Sequence, residues 1–482
     1  MNIEYCVIDA CGEALDQVTP FPLRPDCFLQ GLQTEEVIER VPAQTDIIGI
    51  TCLFSQYWPV VRELAKALRA HFPGALMVLG GEHATAVPEH VLSSGHFDVC
   101  VLGEGEETFL RLIHAHRDAR SFANIPGIAF LEDGQYRNNG LSPRTREIDD
   151  IPWPDWDSFP IDKYITARQV TGVHLGRSLP ILGTRGCPYQ CTFCSSPDMW
   201  TTRWIHRDPV DLVDEMNHFK NKYDLDGFAF MDLTFVINGK STVRFAQELI
   251  DRNLNIVYQL PSGTRSEGFN EGVADLLYRS GLRNFAFAPE SGSEEVLTLI
   301  KKQIDLTTLF QAIRVCLKTP MTLGCYIVIG FPEDTQKSLR ETLKLVRKLA
   351  RIGVHDITVS KFTPYPGSVH FKTLLSEGKI ELNDSFFLSP LDFYTNKSLS
   401  YCDAVDHRGL YRWMIWMFCN FYVISFCLRP WSVIKHFVSF FTKGIEETRY
   451  MRWLADTLVT RRRWCKNLKK TMVTTLQAAE KP

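Results

Sequence analysis

The chain has 482 residues, 45% of them hydrophobic and 23% charged, with a formal net charge of −3. That length allows two or three domains with cores of their own, and the composition excludes a wholly disordered, collagen-like or multi-span membrane protein. The charge is too near neutral to argue for nucleic acid, but it is uneven: residues 429–482 carry twelve Lys/Arg against four Asp/Glu, +8, leaving −11 for the rest.

The opening Met1-Asn-Ile-Glu-Tyr5 lacks the basic start and apolar run of a secretory signal. The fourteen cysteines are therefore expected as reduced thiols or metal ligands, in a cytoplasmic setting. Short apolar runs at Ile47–Phe54, Ala75–Gly81 and Val99–Gly103 predict buried strands. Helical spacing predicts helices over 58–69, 87–92 and 106–116. This alternation makes residues 1–130 an α/β, doubly wound, Rossmann-like parallel-sheet domain, whose ligands bind at the strand carboxyl ends. Residues 131–176, with Pro143, Pro152, Pro154 and Pro160, read as a linker.

Alternation resumes over 177–375. Strands are expected at Ile181–Thr184, Gly227–Asp232, Ile256–Leu260, Asn284–Ala288, Leu323–Ile329 and Ile357–Phe362, with helices such as Val210–Tyr223, Ser241–Arg252 and Ser338–Arg351. Six such repeats predict a (β/α)6 partial TIM barrel with its chemistry at the strand carboxyl ends. Residues 376–482 form a mostly helical, aromatic and basic C-terminal region. Trp413–Leu428 holds no charge but is short for a membrane span, and Asn420 interrupts it. Trp431–Phe441 repeats the aromatic theme and Arg461–Lys470 is basic. Two readings stand: a helical cap on the barrel mouth, or peripheral contact with a membrane. Cys419, Cys427 and Cys465 are expected to be apolar fillers.

The chemical signal is Gly186-Cys-Pro-Tyr-Gln-Cys-Thr-Phe-Cys194, a C-x3-C-x2-C just after a predicted strand. Cys187, Cys191 and Cys194 can converge on an iron–sulfur cluster, leaving one iron of a [4Fe–4S] cube open to a small molecule. A zinc site would want a fourth ligand, and the flanking loop offers none before Asp198 or His206.

This motif resembles the signature of radical S-adenosylmethionine (SAM) enzymes, with Phe193 in the aromatic place. The resemblance implies that SAM chelates the open iron and is cleaved by a cluster electron to a 5′-deoxyadenosyl radical, which takes hydrogen from an unactivated carbon. Phe228–Asp232 is similar to the family's second strand, with Asp232 facing SAM. Arg265 follows the third strand, and Pro289-Glu-Ser-Gly292 resembles the fourth-strand element that brings Glu290 and Ser291 to SAM. Ile327–Glu333 resembles the fifth-strand adenine motif and adds Glu333, though Tyr326 stands where a glycine is usual.

The N-terminal domain resembles the vitamin B12-binding domain that precedes the barrel in one branch of this family. The matching stretches supply Gly49 and Thr51, then Gly80, Gly81, Glu82 and His83, then Gly103, Glu104 and Gly105 as cobalamin-contacting positions. No D-x-H-x-x-G is present, so His83 is expected in a loop-capping or surface role rather than as a cobalt ligand. The strand–helix unit that usually comes before an element like Tyr5–Asp9 has no counterpart, which is expected to leave a hydrophobic gap and cut away part of the cobalamin site.

The implied activity is cobalamin-dependent radical chemistry in the branch holding C-methylases and the anaerobic magnesium-protoporphyrin ester cyclase. The alternatives are cyclase or rearrangement chemistry without methyl transfer, and a cobalamin-free radical SAM enzyme. A non-enzymatic sensor would not need a near-complete barrel. Expected partners are a small-molecule substrate, apolar or lipid-like, and an electron donor such as ferredoxin or flavodoxin, with no nucleic acid.

Overall fold

A computed structural model describes residues 3–457 apart from 146, 170, 238, 444 and 445. The basic run 461–470, with Cys465, lies outside the described residues. The hairpin β1 (Val18–Phe21) and β2 (Arg24–Gln30) comes first. β3 (Ile47–Thr51), β4 (Leu76–Gly80) and β5 (Val99–Val101) then run parallel, where apolar runs predict strands. β6 (Ile128–Glu132) and β7 (Gln135–Asn138) extend the same sheet antiparallel, so it is mixed and runs past residue 130 into the expected linker. The cause is local: Asp133 and Gly134 both take positive φ and make the two-residue turn that closes a tight hairpin.

The helix Trp58–His71 starts on Pro59 and buries Trp58, Val61, Ala65 and Leu68 against the sheet, one turn apart along a single face. Tyr5–Asp9 forms no strand, and β3 is the edge of the sheet. A cavity of 3190 Å³ lies at this edge, lined by Ile47, Ile50, Leu64 and Phe109 together with Tyr5 and Ile8 of the N-terminal segment. The segment is tied instead to the region after the sheet, where Tyr164 Oη donates to Asp9 Oδ1 at 2.9 Å, the same oxygen that accepts from Gly12 N within the segment.

The second sheet is a six-stranded parallel partial barrel in the order β8 (Ser178–Ile181), β11 (Gly227–Phe230), β12 (Val257–Thr264), β13 (Leu282–Glu290), β14 (Thr322–Ile329) and β15 (Asp356–Lys361). A short ribbon, β9 (Thr184–Arg185) with β10 (Ile205–His206), stands beside its first strand. β8 lies three residues earlier than expected, because Gly183 N turns away to donate to Asp232. The helices Pro209–Tyr223, Gly239–Asp251 and Gln336–Ile352 match the predicted ones within two or three residues.

Of three hydrophobic cores among the described residues, one lies within the N-terminal domain around Val78, Leu112 and Phe130, and the other two decide the architecture. One of these two fills the barrel and its helices. The other joins the domains: Trp58, Leu79 and Val91 pack with Phe331, Phe362 and Phe387, so the carboxyl ends of both sheets face each other. Residues 384–392 seal that seam, with Arg62 clamped on Asp384. Among the described residues, the later C-terminal elements lie on the flank and amino end of the barrel. Helix His407–Leu428 lies along helix Gln336–Ile352 and β15. Beyond it, the amides of Arg449 and Tyr450 donate to Asp356 at the start of β15, and Asn284 donates to Glu447 O, which covers the amino end of the barrel.

Candidate cofactor site

The cysteine loop leaves β9 through Gly186, whose φ is +84° and where a Cβ would lie 2.2 Å from Arg203 O, so only glycine fits. The loop is pinned on both sides: Thr192 N donates to Ile300 O, and His370 N donates to Thr192 O. Burial pushes all three thiols up, Cys194 to about 12. Among the described residues no three His, Cys, Asp or Glu side chains converge at single-ion spacing. A tetrahedral zinc with bonds of about 2.3 Å would draw its sulfurs together, whereas thiolates on separate corners of a cube stand farther apart. Three thiols on one loop are the donor set that a [4Fe–4S] cluster with one open iron would take.

A cation that sequence reading missed sits beside this loop. Lys302 is buried, donates from Nζ to Glu290 Oε1 at 2.8 Å, and lies 5.8 Å from the centroid of the Phe193 ring. Burial alone would lower its pKa, but the charges of Glu290 and Cys191 outweigh that and hold it above the usual lysine value. The backbone around it is strained: Glu290, Lys301 and Gln303 all take positive φ. Arg265 holds this loop, donating to Lys302 O at 2.8 Å and to Gln303 O while stacking 3.9 Å from the Tyr189 ring centroid. The signal in the sequence was only a Lys-Lys pair after a helix, which by itself says nothing about burial.

The positions expected at SAM separate into two groups. Glu290, Arg265, Phe193 and Glu333 stand at the barrel mouth. Glu333 Oε1 accepts from His370 Nε2 at 2.7 Å; burial would raise this carboxyl, but His370 outweighs it and holds it below its usual value. Thr264 Oγ1, Ser266 Oγ, Thr192 Oγ1, Glu333 Oε2 and His370 Nδ1 are buried there without a hydrogen-bond partner. Such atoms each cost about 1–3 kcal/mol, and their concentration in one place suits a polar ligand such as SAM.

Asp232 and Ser291 each bond neighbouring protein groups. Ser291 Oγ pairs with Thr342 Oγ1, and a Cβ at Gly292 would meet Glu341 O at 2.6 Å, so the Ser-Gly pair lets this turn press against helix Gln336–Ile352. Asp232 accepts from Gly183 N and Thr184 Oγ1 and staples two strand ends. Burial raises its pKa to about 6. A folded pKa above the unfolded one favours the fold fully below about pH 4, and that contribution is lost as pH rises through about 6. Asp232→Asn should remove this dependence, so wild type minus variant stability should fall by about 2–3 kcal/mol across that window. Urea unfolding of the apo chain at pH 4 and pH 7.5 measures it, and parallel pH profiles would refute it.

The positions expected at cobalamin also divide. Gly49, Thr51, Gly80 and Gly105 line the large cavity. Glu82, Gly103 and Glu104 reach the barrel's loops, whereas Gly81 and His83 meet groups of their own domain. Glu82 accepts from Ser195 Oγ, next to Cys194. Glu104 lies between Arg144 and Arg185. His83 is fully buried, not at the surface: it stacks on Trp58 at 4.9 Å, bonds Ser55 Oγ from Nδ1, and burial lowers its pKa to about 3. Gly81 has φ +101° and no room for a Cβ, which would lie 2.7 Å from Cys52 O.

Family models agree with this architecture: the B12 binding domain model matches residues 23–113 and the Radical SAM superfamily model matches residues 181–346. The chain is 32% identical over 330 residues to an uncharacterized methyltransferase of Pyrococcus horikoshii, covering 67% of this chain and 68% of that protein. It is 27% identical over 376 residues to the anaerobic magnesium-protoporphyrin IX monomethyl ester cyclase of Cereibacter sphaeroides, covering 76% of this chain and 59% of that protein. Its fold is similar to that of the radical SAM methyltransferase TsrM from Kitasatospora setae, with a TM-score of 0.59 and 16% identity over 71% of this chain and 69% of that one. With a cysteine loop at the mouth of a partial barrel and a B12-binding domain closing over it, the chain belongs to the radical SAM superfamily of enzymes, among its members with a B12-binding domain.

Proposed function

We propose that the chain is a cobalamin-dependent C-methylase that replaces a hydrogen on an unactivated carbon of an apolar or lipid-like substrate with a methyl group. The seam between the two domains carries this reading. Ser195, beside the cluster loop, bonds Glu82 of the Gly-Gly-Glu-His loop, and Gly367 at the mouth packs against Ala86. A methyl group delivered to a carbon activated at the barrel mouth needs its donor to face that mouth, as this seam allows. A cluster on Cys187, Cys191 and Cys194 would supply the electron that cleaves SAM, and cobalamin would supply the methyl group. The chain's own part is to orient SAM through Glu290 and Lys302 and to keep water out with Phe193, Phe331 and Phe362. A ferredoxin- or flavodoxin-type donor would reduce the cluster in the cytoplasm.

One observation favours a second reading, radical SAM chemistry without methyl transfer, either of the cyclase type or free of cobalamin. Glu82, His83 and Glu104 are already engaged by protein groups, and the sheet edge at β3 is open. Anaerobic reconstitution with cobalamin, SAM and dithionite separates the two. The methylase should bind cobalamin beside a full cluster and release both 5′-deoxyadenosine and S-adenosylhomocysteine. 5′-Deoxyadenosine alone would support the cyclase-type reading. A full cluster with no bound cobalamin would refute the methylase.

A further inference from the structure

We propose that the outer faces of helices His407–Leu428 and Pro430–Lys443 dock on an anionic lipid bilayer. The first helix is apolar on two opposite sides. Leu410, Met414, Met417 and Phe421 point inward and are buried on the barrel flank. Trp416, Cys419, Val423 and Phe426, spaced i, i+3, i+7 and i+10, form a second stripe that is exposed along the helix. Val423 is 61% exposed and Trp416 53%. A helix at a water-facing surface carries polar residues there. Cys419 and Cys427 are thus exposed on this side and do not fill a core.

The second helix continues the pattern with Trp431, Ile434, Val438 and Phe441 in the same spacing, and Trp431 is 80% exposed. The helices meet at a 105° bend, and no single helix among the described residues is long and apolar enough to cross a membrane. Such amphipathic helices, carrying Trp and Phe, suit lying in an interface.

Charge selects the occupant. No acidic residue lies between Asp406 and Glu446, while Arg408, Arg412 and Lys435 are exposed in that stretch. Residues 429–482 carry +8 on a body of −11. A second copy would bring like charge against like charge at this face. An anionic bilayer attracts the basic end and repels the acidic body, which also orients the molecule.

The test is flotation of the full chain with vesicles of phosphatidylglycerol and phosphatidylcholine in equal parts, against phosphatidylcholine alone. The chain should float with the anionic vesicles and bind about tenfold less to the neutral ones. The exposed-face variants Trp416→Gln/Val423→Ser and Trp431→Gln/Phe441→Ser should each lower binding about tenfold with unchanged melting. Failure to float with the anionic vesicles, or binding that both variants leave intact, would overturn the proposal. A lipid-free dimer that Trp416→Gln/Val423→Ser splits would assign the face to a second copy and overturn it as well. Neither cofactor is needed, so the result is independent of the reaction proposed above.

Discussion

Lys302→Met should destabilise the apo chain by about 3–5 kcal/mol, the usual cost of leaving one member of a buried ion pair without its partner. Both side chains of the Lys302–Glu290 pair are 9% exposed, so solvent screens little of the loss. Arg265, a neighbouring cation, is already held by Lys302 O, Gln303 O and Glu267. Adding Glu290→Gln should recover most of the loss, because a neutral amide tolerates burial better than an unpaired charge. Urea unfolding of the wild type, the two single variants and the double variant forms the cycle that measures it. Additive single effects would show that the pair is not coupled. In reconstituted protein, loss of the cation should also make the cluster harder to reduce, because the reduced cluster is the more negative state. A tenfold fall in the reduced fraction at fixed potential corresponds to about 59 mV for one electron, readable by EPR-monitored titration.

Glu104→Ala should have an effect of similar size, about 3–5 kcal/mol, expressed between the domains rather than within one. Glu104 Oε1 lies 3.4 Å from both Arg144 Nε and Arg185 Nη1, and Oε2 accepts from Thr145 N at 2.6 Å. One carboxylate therefore joins three regions: the loop after β5, the segment that follows the N-terminal sheet, and the strand that enters the cysteine loop. Its removal leaves the Arg144 guanidinium with no carboxylate among its partners, which are Trp200 O, Arg203 O and the Trp200 ring. Scanning calorimetry should show the N-terminal domain melting at lower temperature in the variant, separated from the barrel. A single unsplit transition at the wild-type temperature would count against this role. Glu104→Gln should fall between the two, since the amide can still accept from Thr145 N.

Much of the fold was legible in local pattern. Buried runs such as Leu76–Gly80 and one-faced helices such as Trp58–His71 announce themselves through periods of two and 3.6 residues, within one segment. The cysteine loop was legible because its three ligands fall within eight residues. The Asp133-Gly134 hairpin lies at the start of the proline-rich stretch, yet a two-residue Asp-Gly turn between Ile128–Glu132 and Gln135–Asn138 is itself a strong hairpin sign. Candidate site residues were less legible. Asp232 and Ser291 sit at strand ends in motif positions, yet their oxygens serve Gly183, Thr184 and Thr342, which no spacing in the sequence indicates.

By itself the sequence determined the order of elements, the cysteine loop at the exit of the first barrel strand, and the asymmetry between an acidic body and a basic end. Each of these is written in residues close together along the chain. Tertiary structure alone decided that Lys302 is a buried cation beside that loop, that Glu82 and Glu104 bridge domains, that β3 is an open edge, and that helix His407–Leu428 has two apolar faces of which one is covered. The domain bridges depend on partners 81 and 113 residues away, Arg185 from Glu104 and Ser195 from Glu82, and the others on which neighbouring element covers a face or a side chain. A side chain's charge cost and exposure are properties of what surrounds it, and the surroundings exist only once the chain has folded.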